Sequence, residues 1–248
     1  MDEKQPQEQA PQQAAAEAPQ PAAKQPAIRK RRTQSQPQEQ HGKDIFLSGS
    51  ILLFNKYSYD VEVYDPSLRN YVNLKPIVYP NSYGRKSQSL FHKANLNIIE
   101  RLENTLMRGG TGGKIGGKVI RTKGRLQGKK VKVANTIKSA FDAINKQTGM
   151  NPIQVFILAL ENSAPIEDTT RVRYGGIISN VAVDVSASRR LDIALRNLSM
   201  ATVIGAFRNK RTLAQALANE LILASRNDIN SYAIKRKNET ERMARSAK

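Results

Sequence analysis

The sequence contains no cysteine, which excludes disulfide bonds and zinc sites built on thiolates. Histidine is nearly as scarce, since His41 and His92 are the only two. His92 lies between Phe91 and Lys93 without a second histidine nearby, so a catalytic or metal-binding role is not indicated. We therefore expect neither a metal nor a cofactor.

Long apolar runs are also missing. No stretch approaches the roughly 18 consecutive apolar residues that a transmembrane helix needs. The first residues are rich in Gln, Ala and Pro and lack the apolar core of a signal peptide. These absences predict an intracellular protein without a membrane-spanning segment.

Negative charge is in short supply relative to positive charge. The 248 residues include 40 Lys and Arg against 21 Asp and Glu, a formal net charge of +19. Such an excess destabilises a compact chain through self-repulsion and favours a polyanionic partner. Nucleic acid is the first candidate and an anionic membrane surface the second.

The first part of the chain, residues 1–43, is of low complexity. It has too few apolar residues to offset its ordering entropy, so we expect a disordered tail. Its basic cluster at 29–32 fits a nuclear-import or RNA-gripping segment, and it fits a solvated charge run equally well. Residues 44–84 are apolar enough to pack as an extension on a core, and Asp65-Pro66 predicts a short helix.

Residues 85–248 show mainly helical periodicity and predict a domain of about six helices with one projecting β-hairpin arm. Gly149 predicts the end of one helix, and Asn151-Pro152 predicts the start of an apolar, central one. Thr212 with Gln215 predicts a capping box. Asn238 with Glu241 predicts the start of the last helix. The apolar positions that carry the periodicity include Leu96, Ile99, Leu102, Leu106, Val133, Ile137, Phe141, Ile144, Leu191, Leu195 and Leu198.

The arm is predicted at 170–185. Arg171 and Arg173 are two residues apart and would share one face of a strand. Gly175-Gly176 supplies a turn, and alternating valines form the second strand. A protruding arm with arginines on one face suits contact with nucleic acid.

Residues 109–132 are rich in glycine and in cations and contain no acid. We expect a mobile loop that orders on phosphates, against the alternative of a solvated insertion. Within it, Gly112–Lys118 fits most of a nucleotide-cradling motif, but Val119 replaces the required Ser or Thr and the preceding segment is helical. The acidic pair Glu167-Asp168 lacks the pocket that acid–base catalysis needs. The sequence therefore predicts no enzyme.

The run GMNPIQVFILALENSAPIEDTTRVRYGGIISNVAVDVSASRRLDIAL resembles the signature region of one known family. This is the universal small-subunit ribosomal protein numbered seven in bacteria and five in the older eukaryotic naming. The match rests on Gly149–Pro152, on the arm from Arg171 to Val185 and on Ser188–Arg190. The C-terminal part is similar as well, in an archaeal or eukaryotic form, so the resemblance covers roughly residues 51–248.

The resemblance implies a structural protein that binds the 3′ major domain of small-subunit rRNA and helps to assemble the subunit head. It implies that the arm lies near mRNA and exit-site tRNA and meets ribosomal protein eleven. It also implies a cytoplasmic, ribosomal location after nucleolar passage, with no homo-oligomer. The expected rRNA-binding residues are Arg85, Lys86, Lys114, Lys118, Arg189, Arg190, Arg208, Lys210 and Arg211, and the expected arm residues are Arg171, Arg173, Tyr174, Gly175 and Gly176. The alternative is a free basic nucleic-acid-binding protein outside the ribosome.

Overall fold

The computed structural model describes residues 51–85, 88–114 and 119–248. Over these residues the chain forms seven α-helices and one two-stranded antiparallel sheet, which confirms the predicted mainly helical domain with a β-hairpin. The predicted tail at 1–43, Lys86 and Lys118 lie outside the described residues. The helices are α1 (Pro66–Arg69), α2 (Ile98–Arg108), α3 (Lys130–Thr148), α4 (Pro152–Ser163), α5 (Ala187–Ala206), α6 (Leu213–Ser225) and α7 (Tyr232–Ser246), with a 3₁₀ turn at His92–Asn95; the strands are β1 (Glu167–Tyr174) and β2 (Ile177–Asp184).

Most helix ends follow the local sequence signals. Gly149 ends α3 with φ of 68°, a conformation that glycine adopts without steric cost. The Asn151 side chain accepts a hydrogen bond from the Ile153 backbone N–H at the start of α4. Thr212 and Gln215 form the predicted capping box of α6. These three predictions are confirmed.

The predicted start of the last helix at Asn238 is wrong. α7 begins at Tyr232, because the Ser231 hydroxyl caps it by accepting from the Ile234 N–H. Glu220 of α6 strengthens this start by accepting hydrogen bonds from the Ser231 hydroxyl and the Ala233 N–H. A tertiary contact therefore selects the earlier of two possible caps.

The core surrounds α4, whose apolar residues are buried almost all the way round. Phe156 of α4 packs on Phe141 of α3, with ring centroids 6.4 Å apart. Leu53 and Leu68, from the segment before the main helices, are fully buried in the same core. Among the described residues, no helix is long and apolar enough to cross a membrane.

The root of the hairpin is tied to the helical body by polar contacts. Arg190 of α5 donates to the Pro165 carbonyl at 3.2 Å, to Asp65 at 2.9 Å and to the Ser67 hydroxyl. On the other side, the Lys248 ammonium lies 2.6 Å from the Glu167 carboxylate at the start of β1. The arm therefore leaves a fixed base.

Glu103 of α2 is an uncompensated carboxyl group inside the protein. Its side chain is fully buried, and neither of its oxygens has a hydrogen-bond partner among the described residues. Burial raises its pKa to about 8; the charge of Glu100 adds to this effect, and Lys130 opposes it. Glu103 is therefore protonated at neutral pH in the folded protein.

This pKa shift predicts a stability that falls as pH rises. Between the ordinary carboxyl pKa of 4.5 and about 8, the folded state keeps a proton that the unfolded state has released. The free energy of unfolding then decreases by up to about 1.4 kcal/mol per pH unit in this window. Glu103→Gln should weaken this dependence of the free energy of unfolding on pH, measured by urea titrations at several pH values between 5 and 8. The replacement of an exposed carboxyl group, Glu62→Gln, should leave the dependence unchanged. Parallel slopes for wild type and Glu103→Gln would contradict the assignment.

Candidate nucleic-acid interface

The hairpin arm has two chemically different faces. In its register Arg171 lies opposite Asn180 and Arg173 opposite Ile178, and directly opposed residues share a face of the ribbon. Gly175 and Gly176 have φ of 54° and 88°, as a two-residue hairpin turn requires. The predicted turn and the shared face of the two arginines are confirmed.

The other face of the arm is largely apolar and open to solvent. Tyr174, 88% exposed, lies opposite Ile177, 75% exposed, and Val172, Val181 and Val183 extend the same face toward the root. Tyr174 and Arg173 therefore point to opposite sides of the ribbon. An exposed apolar surface of this kind marks a contact with another macromolecule.

A basic groove lies between the α2–α3 loop, the N-terminal half of α3 and the end of α5. It has a volume of about 630 Å³, and none of its described lining residues is acidic. Within the described chain its cations form no ion pairs. A cavity of about 950 Å³ continues it along the start of α3. The exposed cations of the basic groove are Arg121, Lys123, Arg125, Lys132 and Arg208.

The glycines at the start of this loop permit a close approach of two backbone segments. A Cβ atom on Gly110 would lie 2.9 Å from the Ile120 carbonyl oxygen, and one on Gly109 would lie 2.9 Å from the Thr122 hydroxyl. The Thr111 N–H donates to that same Ile120 carbonyl at 3.1 Å. Ile120 is itself buried in the core, so the loop backbone is anchored at this residue, next to Arg121.

The predicted rRNA-binding residues do not form one cluster. Arg208 lies in the basic groove, and Arg211 lines a separate small depression beside α6. Arg85, Lys114, Arg189 and Lys210 are exposed elsewhere.

Arg190 differs from the other predicted residues because it is buried. Its guanidinium group is occupied by Asp65, Ser67 and Pro165. Burial raises the pKa of Asp65, but hydrogen bonds from Ser67 and the charge of Arg190 outweigh it and bring that pKa below its ordinary value. Arg190 and Asp65 thus form a structural ion pair. Arg189, next to Arg190 in the sequence, is exposed instead.

Sequence reasoning missed several groove cations as individual residues. Arg121, Lys123 and Arg125 fall inside the predicted basic loop, but their lack of acidic partners becomes visible only in the fold. Arg108 and Arg196, from α2 and α5, line a second depression of about 240 Å³ with the loop glycines. Nothing in their local sequence sets them apart from ordinary helix-surface arginines.

The described residues contain no group of three or more His, Asp or Glu that could hold a metal ion. Both members of the acidic pair Glu167-Asp168 have partners within the protein. Glu167 accepts from the Lys248 ammonium, and Asp168 accepts from the Thr169 N–H. The element before Gly112 is helix α2, whereas a nucleotide-cradling loop follows a strand.

Comparisons with known proteins agree with this architecture. The sequence model of the family "Ribosomal protein S7p/S5e" matches residues 68–248. The chain is 44% identical over 200 residues to "Small ribosomal subunit protein uS7" of Cenarchaeum symbiosum (strain A), covering 80% of this chain and 98% of that protein. The chain therefore belongs to the ribosomal protein S7p/S5e family, whose members are structural proteins of the small ribosomal subunit.

Proposed function

We propose that this protein binds the 3′ major domain of small-subunit rRNA through the basic groove and helps to organise the subunit head. The observation that carries the proposal is a groove with exposed cations and no acidic lining residue in a member of a ribosomal protein family. Unpaired cations in a concave surface attract phosphates and release their counterions. Fixing several phosphates of an RNA junction stabilises one geometry of that junction.

Recognition in this mode follows RNA shape more than base sequence. The groove cations come from a loop, from α3 and from the segment just after α5, so they surround the space that an RNA backbone would enter. Such an arrangement of charges selects RNA whose backbones converge at matching distances. Exposed Arg189, Lys210 and Arg211 lie outside the groove and offer phosphate contacts of their own.

The arm serves a second set of partners. Its basic face, with Arg171 and Arg173, suits mRNA or exit-site tRNA, and its apolar face suits a neighbouring ribosomal protein, which we propose to be protein eleven. The protein acts in the cytoplasmic ribosome after joining the assembling subunit in the nucleolus.

Binding of the purified full-length chain to separate rRNA domain transcripts tests the main proposal. We expect tight binding to the 3′ major domain transcript and at least tenfold weaker binding to a 5′ domain transcript of similar length, measured by filter binding at fixed salt. Equal affinity for both transcripts would show a generic polyanion binder and contradict the proposal.

The role of the arm predicts a separable defect. Thr170 and Val181 lie directly opposite each other, so replacing 171–180 by Asn-Gly shortens the hairpin without breaking its base. We expect the shortened chain to support subunit assembly in sucrose gradients and to raise frameshifting in a reporter. The control Arg171→Lys with Arg173→Lys keeps the charge and should remain close to wild type. Loss of small subunits in cells that carry only the shortened chain would contradict this role.

A further inference from the structure

Phe207 is an aromatic ring at an unusual place, the wall of the basic groove. It follows directly after α5 and is 37% exposed, although phenylalanine is ordinarily buried. The described lining of the groove contains no other aromatic ring. Phosphate binding alone requires only the cations, so the exposed part of the ring is available to a different part of the ligand.

Arg208 is held over this ring. Its guanidinium carbon lies 5.3 Å from the centroid of Phe207, within cation–π range. The backbone of Arg208 is left-handed, with φ of 56°, a conformation that non-glycine residues adopt at an energetic cost. No ion pair with a described residue involves Arg208. The strained backbone thus places an unpaired planar cation against an exposed ring inside the groove.

A guanidinium group over an aromatic ring brings together two planar groups, on each of which a nucleobase can stack. Every base has a π face, and aromatic rings and guanidinium planes bind it without sequence preference. Arg121, Lys123 and Arg125 line the same groove and can neutralise the phosphates on either side of a bound base. A base-paired helix keeps its bases within the stack, so the matching ligand is an unpaired nucleotide.

We propose that Phe207 and Arg208 form a stacking platform for an unpaired nucleobase of rRNA, with the groove cations holding the adjoining phosphates. This inference rests on the proposed rRNA-binding function and names the part of the RNA that the groove receives. The platform gives the groove a preference for a bulged or looped nucleotide over a continuous duplex.

The sequence contains no tryptophan, which allows a direct optical test. Phe207→Trp gives the full-length chain a single indole at the platform. We expect its fluorescence to be quenched when the 3′ major domain transcript binds, and to change little when a fully paired RNA duplex binds. Equal quenching by both RNAs would overturn the stacking platform.

Measurements of affinity and of its salt dependence provide a second test. Phe207→Leu keeps an apolar side chain and removes the ring, and we expect roughly 5- to 100-fold weaker binding of the transcript. Its log–log salt slope should match the wild type, because no charge is lost. Arg208→Lys keeps the charge and loses the plane, so it should behave in the same way, whereas Phe207→Tyr should bind like the wild type.

The outcomes separate this inference from the function on which it rests. Normal transcript binding by wild type and by Phe207→Leu alike would overturn the platform and leave the proposed function standing. Failure of the wild-type chain to bind the transcript would overturn both. Unfolding midpoints by circular dichroism confirm that the variants are folded before binding is compared.

Discussion

Replacing Arg190 with alanine is expected to lower the free energy of unfolding by about 3 kcal/mol, because it leaves a partly buried carboxylate without its partner. The Asp65 carboxylate loses a 2.9 Å contact, and the Pro165 carbonyl loses a 3.2 Å donor. For a domain of this size, the loss corresponds to a melting temperature lower by roughly 6–12 °C. Thermal unfolding followed by circular dichroism measures it directly.

The adjacent arginine supplies the matched control. Arg189 is exposed, so Arg189→Ala should leave the melting temperature nearly unchanged and lower the salt slope of rRNA binding by about 0.7–0.9. Arg190→Ala should therefore lower the melting temperature without changing the salt slope, whereas Arg189→Ala should lower the salt slope without changing the melting temperature. A stable Arg190→Ala protein with a reduced salt slope would show that Arg190 contacts RNA instead.

The pH dependence identifies the ion pair as the cause. The Asp65 pKa is lowered in the folded protein, so its contribution to stability is present above the ordinary pKa of 3.8 and is lost as pH falls through the lowered value. The difference between wild type and Arg190→Ala should accordingly shrink in acid. A difference that persists unchanged at low pH would assign the effect to packing of the side chain.

Neutralising the basic groove is expected to have the largest effect on RNA binding. Replacing Arg121, Lys123, Arg125 and Lys132 together with glutamine should lower the log–log salt slope by about 3, since each phosphate contact contributes about 0.7–0.9. If affinities converge at 1 M salt, this corresponds to roughly a thousandfold weaker binding at 0.1 M. Filter binding of the 3′ major domain transcript over a range of salt concentrations measures both quantities.

An equal change in net charge outside the groove tests the location of the site. Lys146, Lys235, Arg242 and Arg245 are exposed and do not line the groove, and their replacement by glutamine removes the same charge. We expect this control to change the slope by less than half as much. An equal decrease of the salt slope for both sets of replacements would indicate a general charge effect and contradict the groove as the binding site.

Much of the architecture was readable from local patterns. The ends of α3, α4 and α6 follow from Gly149, Asn151-Pro152 and Thr212 with Gln215, because capping groups act within a few residues of the helix end. The hairpin follows from Gly175-Gly176, because a tight turn is also set by residues adjacent in the chain. The start of α7 did not follow, since Glu220 of α6 supports the cap at Ser231 from 11 residues away.

The sequence predicted the candidate site as a charge excess and a basic loop, and of its individual residues that the structure describes only Arg208 lies in the groove. Selecting individual residues by charge placed Arg190 among the RNA ligands, although its partner Asp65 is 125 residues away in sequence. Adjacent residues on a helix point about 100° apart, so one arginine can be buried while its neighbour is free. Nothing in the local sequence marks Phe207 as part of the site, because its exposure depends on the position of the end of α5 beside the α2–α3 loop.

The sequence by itself determined the net charge of +19, the helical class, the hairpin and the family. These properties depend on composition, on residues close together in the chain and on a long ordered run of residue types. Only the tertiary structure decided which of the described cations have no ion-pair partner, that five of them line one groove, and that the Arg208 guanidinium lies over the Phe207 ring there. A cation is available to RNA only if no carboxylate neutralises it, and carboxylates distant in sequence become neighbours only when the core packs.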